Sequence, residues 1–257
     1  MNNPLLFAAA IVLACSSCRA VKSQGSDVEV AGATGYVFRG LQMNDGYGVE
    51  TQGRIIFNRA DGSSVSGYAW GYFDGSGDPP DGALETTNSG RFSRLDIGVQ
   101  WTRSFEKFGL SAGVASYNFP NTPIAATSEA FVAGELTTTW LRPGAVFYYD
   151  MQNAKDLYLR VGAHPKFQLD RALTADFGLD VGYMGGDQAR FYYGVNSSGL
   201  SDLLLTGGLT YRQSEYFRAF ARVGYSKVLN SALESRVTER GLDSEIPWLS
   251  IGCGWSY

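Results

Sequence analysis

Apolar and polar residues alternate one by one along much of this chain. The pattern is cleanest in two places. Between 95 and 102, Leu95, Ile97, Val99 and Trp101 oppose Asp96, Gly98, Gln100 and Thr102. Between 173 and 183, Leu173, Ala175, Phe177, Leu179, Val181 and Tyr183 oppose Thr174, Asp176, Gly178, Asp180 and Gly182. Successive strand side chains point to opposite faces, so each stretch predicts a strand with one apolar face and one small or charged face.

The same reading predicts twelve strands after Asp27. They are Val28–Gln42, Tyr47–Asn58, Ser64–Asp74, Arg91–Arg103, Phe108–Phe119, Thr127–Trp140, Gly144–Asp150, Asp156–Gln168, Ala172–Gly185, Ser201–Arg212, Tyr216–Leu229 and Glu245–Tyr257. No amphipathic helix is expected. Phe191-Tyr192-Tyr193-Gly194-Val195 either extends strand nine or belongs to a fourteen-strand arrangement. Most segments exceed the ~5–6 residues of a soluble strand and match the ~9–11 that a tilted membrane strand needs.

The last strand shows which way the faces point. Leu249, Ile251, Cys253, Trp255 and Tyr257 lie on one side, and Ser250, Gly252, Gly254 and Ser256 on the other. A soluble sheet puts long solvating side chains on its polar face. Here that face is small and hydroxylated, as suits a crowded or wet lumen with lipid outside. The competing reading is a soluble β-sandwich, and the connections argue against it. Arg59–Ser63, Ser104–Lys107, Leu141–Pro143, Leu169–Arg171 and Gln213–Glu215, after even strands, are short. Gly75–Gly90, Pro120–Ala126, Gly186–Leu200 and Asn230–Ser244, after odd strands, are longer; Met43–Gly46 and Met151–Lys155 break the pattern. Short turns at one end and long loops at the other are the asymmetry of outer-membrane barrels. The expected fold is therefore all-β, an antiparallel transmembrane β-barrel of about twelve strands, residues 27–257, following an N-terminal export signal. Aromatic residues at strand ends (Tyr36 and Phe38, Tyr72 and Phe73, Tyr117 and Phe119, Tyr148 and Tyr149, Tyr216 and Phe217) are expected to form girdles at the lipid–water boundaries.

Composition fits this picture. Of the 257 residues, 32 are Gly and 15 each are Tyr and Phe, and acidic residues exceed basic ones by 25 to 21. No apolar run after the leader approaches the ~18–20 residues of a helical span, and no basic cluster points to nucleic acid. Residues 1–20 resemble a signal peptide: Pro4–Ala14 is its apolar core and Cys18-Arg19-Ala20 offers a small-x-small cleavage site. No Lys or Arg precedes that core, and Val12-Leu13-Ala14-Cys15 offers the alternative of lipoprotein processing at Cys15. Cleavage near Ala20 leaves Cys253 as the only cysteine, so no internal disulfide is expected.

Gly35-Tyr36-Val37-Phe38-Arg39-Gly40, followed by Leu41-Gln42-Met43-Asn44-Asp45-Gly46, resembles the first strand of the TorF-family porins. Leu95-Asp96-Ile97-Gly98, Tyr117-Asn118-Phe119-Pro120, Tyr148-Tyr149-Asp150 and Asp156-Leu157-Tyr158-Leu159 continue the likeness. From Tyr192-Tyr193-Gly194-Val195 through Leu209-Thr210-Tyr211-Arg212 to Tyr225-Ser226-Lys227-Val228-Leu229, the chain also resembles the MipA/OmpV-type barrels. Both resemblances imply an outer-membrane β-barrel, without an established substrate or catalytic residues.

Candidate chemistry is sparse. His164 is the only histidine. It alternates onto the side of Arg160 and Lys166, and neighbouring cations disfavour its charged form. No Ser or Asn close in sequence completes a lipid-hydrolysing array around it, so a lumen or interface histidine satisfied by hydrogen bonds is expected. Asp176 and Asp180 share a face but lie ~13 Å apart along a strand, too far for a paired-carboxylate site. Asp74, Asp78, Asp81 and Glu85 make one loop acidic without the EF-hand spacing. Neither a metal nor another cofactor is expected.

By alternation Arg54, Asp96, Gln100, Arg160, Asp176, Asp180, Arg212 and Arg222 face inward, with Arg39 and Asp150 near the outer rim. Rings of such charges set ion selectivity in a narrow lumen. The expectation is a narrow porin-like channel for small solutes or ions, with a non-conducting structural barrel and a lipid-modifying barrel enzyme as alternatives. Expected partners are outer-membrane lipid and the barrel-assembly machinery, the latter reading Leu249, Ile251, Trp255 and Tyr257 as a closing-strand signal.

Overall fold

The computed structural model describes residues 21–75 and 90–257. The expected leader, and Asp78, Asp81 and Glu85 of the acidic loop, lie outside the described residues.

The wall begins with β1 (Val21–Ala33). After a short inner pair, β2 (Tyr36–Phe38) and β3 (Leu41–Asn44), it continues with β4 (Gly48–Arg59), β5 (Ser63–Asp74), β6 (Arg91–Ser104) and β7 (Phe108–Asn118). Then come β8 (Thr127–Leu136), β9 (Pro143–Asp150), β10 (Leu157–Ala163), β11 (Lys166–Gln168) and β12 (Leu173–Met184). Helix α1 (Gly186–Tyr193) precedes β13 (Gly199–Arg212) and β14 (Phe217–Val228), and α2 (Ser231–Glu239) precedes β15 (Glu245–Ser256).

Each strand pairs antiparallel with its sequence neighbour around the wall, and β15 closes the ring onto β1 through Asp27↔Ser256 to Ala33↔Ser250. The sheet's 13 segments make twelve staves, because β10 and β11 are two halves of one strand. The break falls at His164-Pro165, where proline has no N–H to give to the ladder. Beyond it, β11 pairs only with β12, as in Lys166↔Asp176.

The outward positions are apolar. Ile55, Val132, Val161, Phe177, Leu179, Leu209, Val223 and Ile251 are all exposed there. In water such a continuous belt would be an aggregation liability; in a bilayer it is the contact surface. Inward positions alternate with these and carry many of the glycines, for a steric reason. Tyr68 lies opposite Gly98, and Trp248 opposite Gly224, in adjacent strands. A Cβ on Gly98 would sit 2.4 Å from the Tyr68 ring, and one on Gly224 2.1 Å from the Trp248 indole. These glycines are seats on which neighbouring rings lie flat.

Four expectations need correction. The predicted first strand Val28–Gln42 is not continuous: the wall strand stops at Ala33, and 34–47 folds inward as the β2–β3 hairpin. The alternation of Tyr36-Val37-Phe38 is real, but it belongs to a sheet of its own. This lengthens the first upper connection to residues 34–47 and removes one exception to the loop pattern.

Two helices were not foreseen, and Phe191-Tyr192-Tyr193 lies in one of them rather than in a strand. Each has fewer than three turns, too short to display a period. Asn230 caps α2 by accepting from the Ala232 and Leu233 amides. Asp156, from another connection, accepts from the Asp187 and Gln188 amides at the start of α1.

The girdle expectation holds only in part. Tyr149 and Tyr216 are exposed, but Tyr36, Tyr72, Tyr117 and Phe119 are buried inside the barrel. Finally, His164 is satisfied by a hydrogen bond as expected, but the dominant neighbour is an acid rather than the cations on its side: its Nε2 meets Asp180 across the strand pair at 3.1 Å.

The buried cluster sits at the end of the barrel that carries the long connections. It joins Leu41 and Met43 of the hairpin, Ala189, Tyr192 and Tyr193 of α1, Leu233 and Val237 of α2, and inward wall residues such as Tyr72, Tyr158 and Met184. The hairpin and the two helices thus fill the outer half of the lumen.

Candidate channel interior

The hairpin turn explains how the outer half is organised. Phe38 and Leu41 pair across a two-residue turn, in which Arg39 has φ 53° and Gly40 has φ 81°. Two left-handed residues make the primed turn that matches strand twist, and its first position normally takes Asn, Asp or Gly. Arginine there is uncommon and strained. The turn carries the Arg39 guanidinium into the packed interior, where Nη1 and Nη2 donate to the two Glu129 oxygens at 2.7 and 2.5 Å.

The side chains of this pair are 2% and 0% exposed, so both charges are dry. Gln188 of α1 bridges them, accepting from Arg39 at 3.3 Å and donating to Glu129 at 3.2 Å. The Tyr193 hydroxyl donates to the Arg39 carbonyl at 2.6 Å. Burial pushes the Tyr193 phenol well above its ordinary pKa, so it remains a donor. The guanidinium lies 4.3 Å from the Tyr158 ring centre and 4.8 Å from that of Phe38, contacts that favour a desolvated cation.

A second buried arginine sits beside the first. Arg94 donates through Nε and Nη2 to the two oxygens of Asp96, both at 2.7 Å, and through Nη1 to the Tyr36 hydroxyl. Its guanidinium is 3.9 Å from the centre of the Phe38 ring, so that ring is within reach of both cations. Arg94 and Asp96 share a face because they are two apart on β6.

A cavity of about 150 Å³ lies against the hairpin, lined by Tyr36, Phe38 and Arg39 together with Glu50, Arg160 and Trp248. Towards the short-turn end, Arg218 bridges Asp27 and Glu29 at 2.7 and 2.8 Å, and Arg222 reaches Glu29 at 3.2 Å. These side chains are partly exposed, in contrast to the dry pairs above.

The sequence-derived positions distribute as follows. Arg39 and Asp96 belong to the buried outer cluster and to separate ion pairs. Arg54 and Arg160 face the lumen, each with its Nε buried and without an acceptor among the described residues. Gln100 donates to Thr102 at 2.9 Å. Asp176 lies against Gly208 of β13, Asp180 holds His164, and Arg212 is exposed at the short-turn mouth. Asp150 is buried and structural, accepting from Thr127 at 2.6 Å and from the Gln152 and Asn153 amides. Leu249, Ile251 and Tyr257 are exposed on the outer face, and Trp255 packs on Phe217 with ring centres 5.6 Å apart.

The residues that sequence reasoning missed are Glu129, Gln188, Arg94 and Tyr193. Glu129 and Gln188 are each remote from Arg39 in sequence, and only the infolded hairpin brings them together. Alternation gave one weak signal: it puts Glu129, like Glu135, on the inward face of β8. Among the described residues no group of His, Cys, Asp and Glu is arranged to hold a metal ion.

No protein-family model and no curated protein sequence matches the chain. Solved structures do match along nearly its whole length. An outer-membrane channel of Pseudomonas putida F1 aligns with a TM-score of 0.56 at 11% identity, covering 93% of this chain and 97% of that one. The NanC porin aligns at 0.54 and 12%, covering 90% and 98%, and the KdgM porin at 0.50 and 12%, covering 90% and 99%. At such identities the likeness concerns the fold. The chain is a closed, twelve-stranded antiparallel barrel of the outer-membrane porin type.

Proposed function

We propose that the protein is a porin-like channel of the bacterial outer membrane, passing small solutes or ions with weak selectivity. The observation that carries this reading is the contrast between the two halves of the lumen. A barrel needed only as a structural stave would be best filled throughout with well-packed apolar groups, because buried ion pairs add little stability. Here the lumen towards the short-turn end keeps partly exposed charges of both signs (Arg54, Arg218 and Arg222 with Asp27, Glu29 and Glu50), and Glu50 and Arg160 line the cavity against the hairpin. Such side chains line a path and bias which ions use it.

The apolar outer belt and the length of the strands support the location. The Tyr36-Val37-Phe38-Arg39-Gly40 stretch supports kinship with the TorF-family porins. Lipid against the outer face, and the assembly machinery at the closing strand, are the partners this reading implies.

Planar-bilayer recording tests it: folded barrels should give small, discrete current steps. The packed outer half favours a second reading, a closed barrel with a structural role. Folded barrels that remain silent even when the hairpin is removed would establish that reading instead.

A further inference from the structure

We propose that the hairpin between Gly35 and Gly46 is a displaceable inner gate, latched at its tip by Arg39 and Glu129. The proposal rests on the channel reading and adds the element that controls it. Three observations support it.

First, the hairpin is not part of the wall. Among the described residues its backbone ladder runs only between its own two strands. Its base is anchored where the Thr34 amide donates to the Leu249 carbonyl at 2.9 Å and the Gly75 amide to the Tyr47 carbonyl at 3.0 Å. Beneath it, Ala33 and Gly48 are direct partners in the β1–β4 ladder, so the ring closes without the hairpin. Lifting the hairpin breaks no wall ladder.

Second, its tip is held by a compact polar set from outside the hairpin: Glu129 of β8, with Gln188 and Tyr193 of α1. A dry ion pair is a poor source of net stability but a good source of specificity, because it has one satisfied geometry. Released towards the polar lumen or the outer mouth, both charges regain water, which offsets part of the cost of exposing Leu41 and Met43.

Third, the turn that aims the guanidinium at Glu129 puts a non-glycine residue in the left-handed region. Strain held at one point by surrounding contacts is a feature of elements with two arrangements.

The test compares three full-length proteins in planar bilayers, each verified as folded by heat-modifiable gel migration. They are the wild type, Glu129→Gln, and a shortcut in which residues 34–47 are replaced by an Asn-Gly turn joining Ala33 to Gly48. The wild type should open rarely. The shortcut should raise the mean current per inserted barrel at least about tenfold, and Glu129→Gln should raise the ratio of open to closed time by a comparable factor, which corresponds to about 1.4 kcal/mol lost from the latch. A conducting wild type with an equally conducting shortcut would overturn the gate and leave the channel standing. Silence from all three would overturn the channel reading itself. An unchanged ratio of open to closed time in Glu129→Gln would overturn the latch, and this variant decides alone if the shortcut does not fold.

Discussion

Leu179→Arg is the substitution most sensitive to which way the wall faces. Leu179 lies towards the middle of β12, is 48% exposed on the outer side, and is paired across the sheet with Ala163 and Leu205. If lipid covers that side, an arginine near mid-depth costs ~2–4 kcal/mol. With each ~1.4 kcal/mol worth a factor of ten, the folding equilibrium falls by roughly 30- to 1,000-fold. That is a large part of a typical ~5–15 kcal/mol stability. If water covers it, an exposed surface exchange is worth no more than about 0.5 kcal/mol either way. The two environments therefore predict effects at least about fourfold apart. Urea unfolding in lipid vesicles, followed by tryptophan emission and gel migration, measures the difference. Asp180→Asn is the matched control one residue away: it faces inward, and its remaining carbonyl can still accept from His164. A stable Leu179→Arg beside a collapsed Asp180→Asn would refute the assignment of faces.

Three further outcomes follow from the geometry. Glu129→Leu should cost ~3–5 kcal/mol by leaving Arg39 buried without a counter-charge, whereas Arg39→Met/Glu129→Leu should recover most of that loss in the same unfolding assay. Deleting Tyr257, whose backbone exchanges two hydrogen bonds of 2.9 Å with Ser26, should lower the yield of folded barrel in the membrane; normal insertion would make it an ordinary strand residue. Asn230→Ala should weaken the start of α2 by ~0.5–2 kcal/mol, visible as faster amide exchange over Ala232–Val237 with the wall unchanged.

Much of the barrel was legible because each wall strand is long and has a period of two. Leu95-Asp96-Ile97-Gly98 can be read only one way once one face must be apolar. The inner hairpin was not legible, because Tyr36-Val37-Phe38 alternates just as the wall does and follows β1 after only Thr34 and Gly35. What separates them is Arg39-Gly40, a primed turn disguised by an arginine where Asn or Asp usually stands. The girdle misreading has a related cause: Tyr72 and Phe73 are adjacent, so one ring must face in while the other faces out. The interior was legible in outline only. Alternation places Asp96 and Arg160 on the lumen side, but it cannot say that Asp96 serves Arg94 on its own strand, or that Glu129 waits for Arg39. Such pairings depend on a loop folding back through the barrel, which no local pattern encodes.

The most direct test of the account is a nitroxide scan of β12. Single cysteines from Asp176 to Tyr183 in a cysteine-free background would be spin-labelled in vesicles, and their accessibility to dissolved oxygen and to a water-soluble nickel chelate compared. The account predicts a period of two: oxygen access, and therefore lipid, at 177, 179, 181 and 183, with low oxygen access at 176, 178, 180 and 182. A flat profile, the opposite phase, or chelate access across the outward positions would contradict a membrane-spanning barrel.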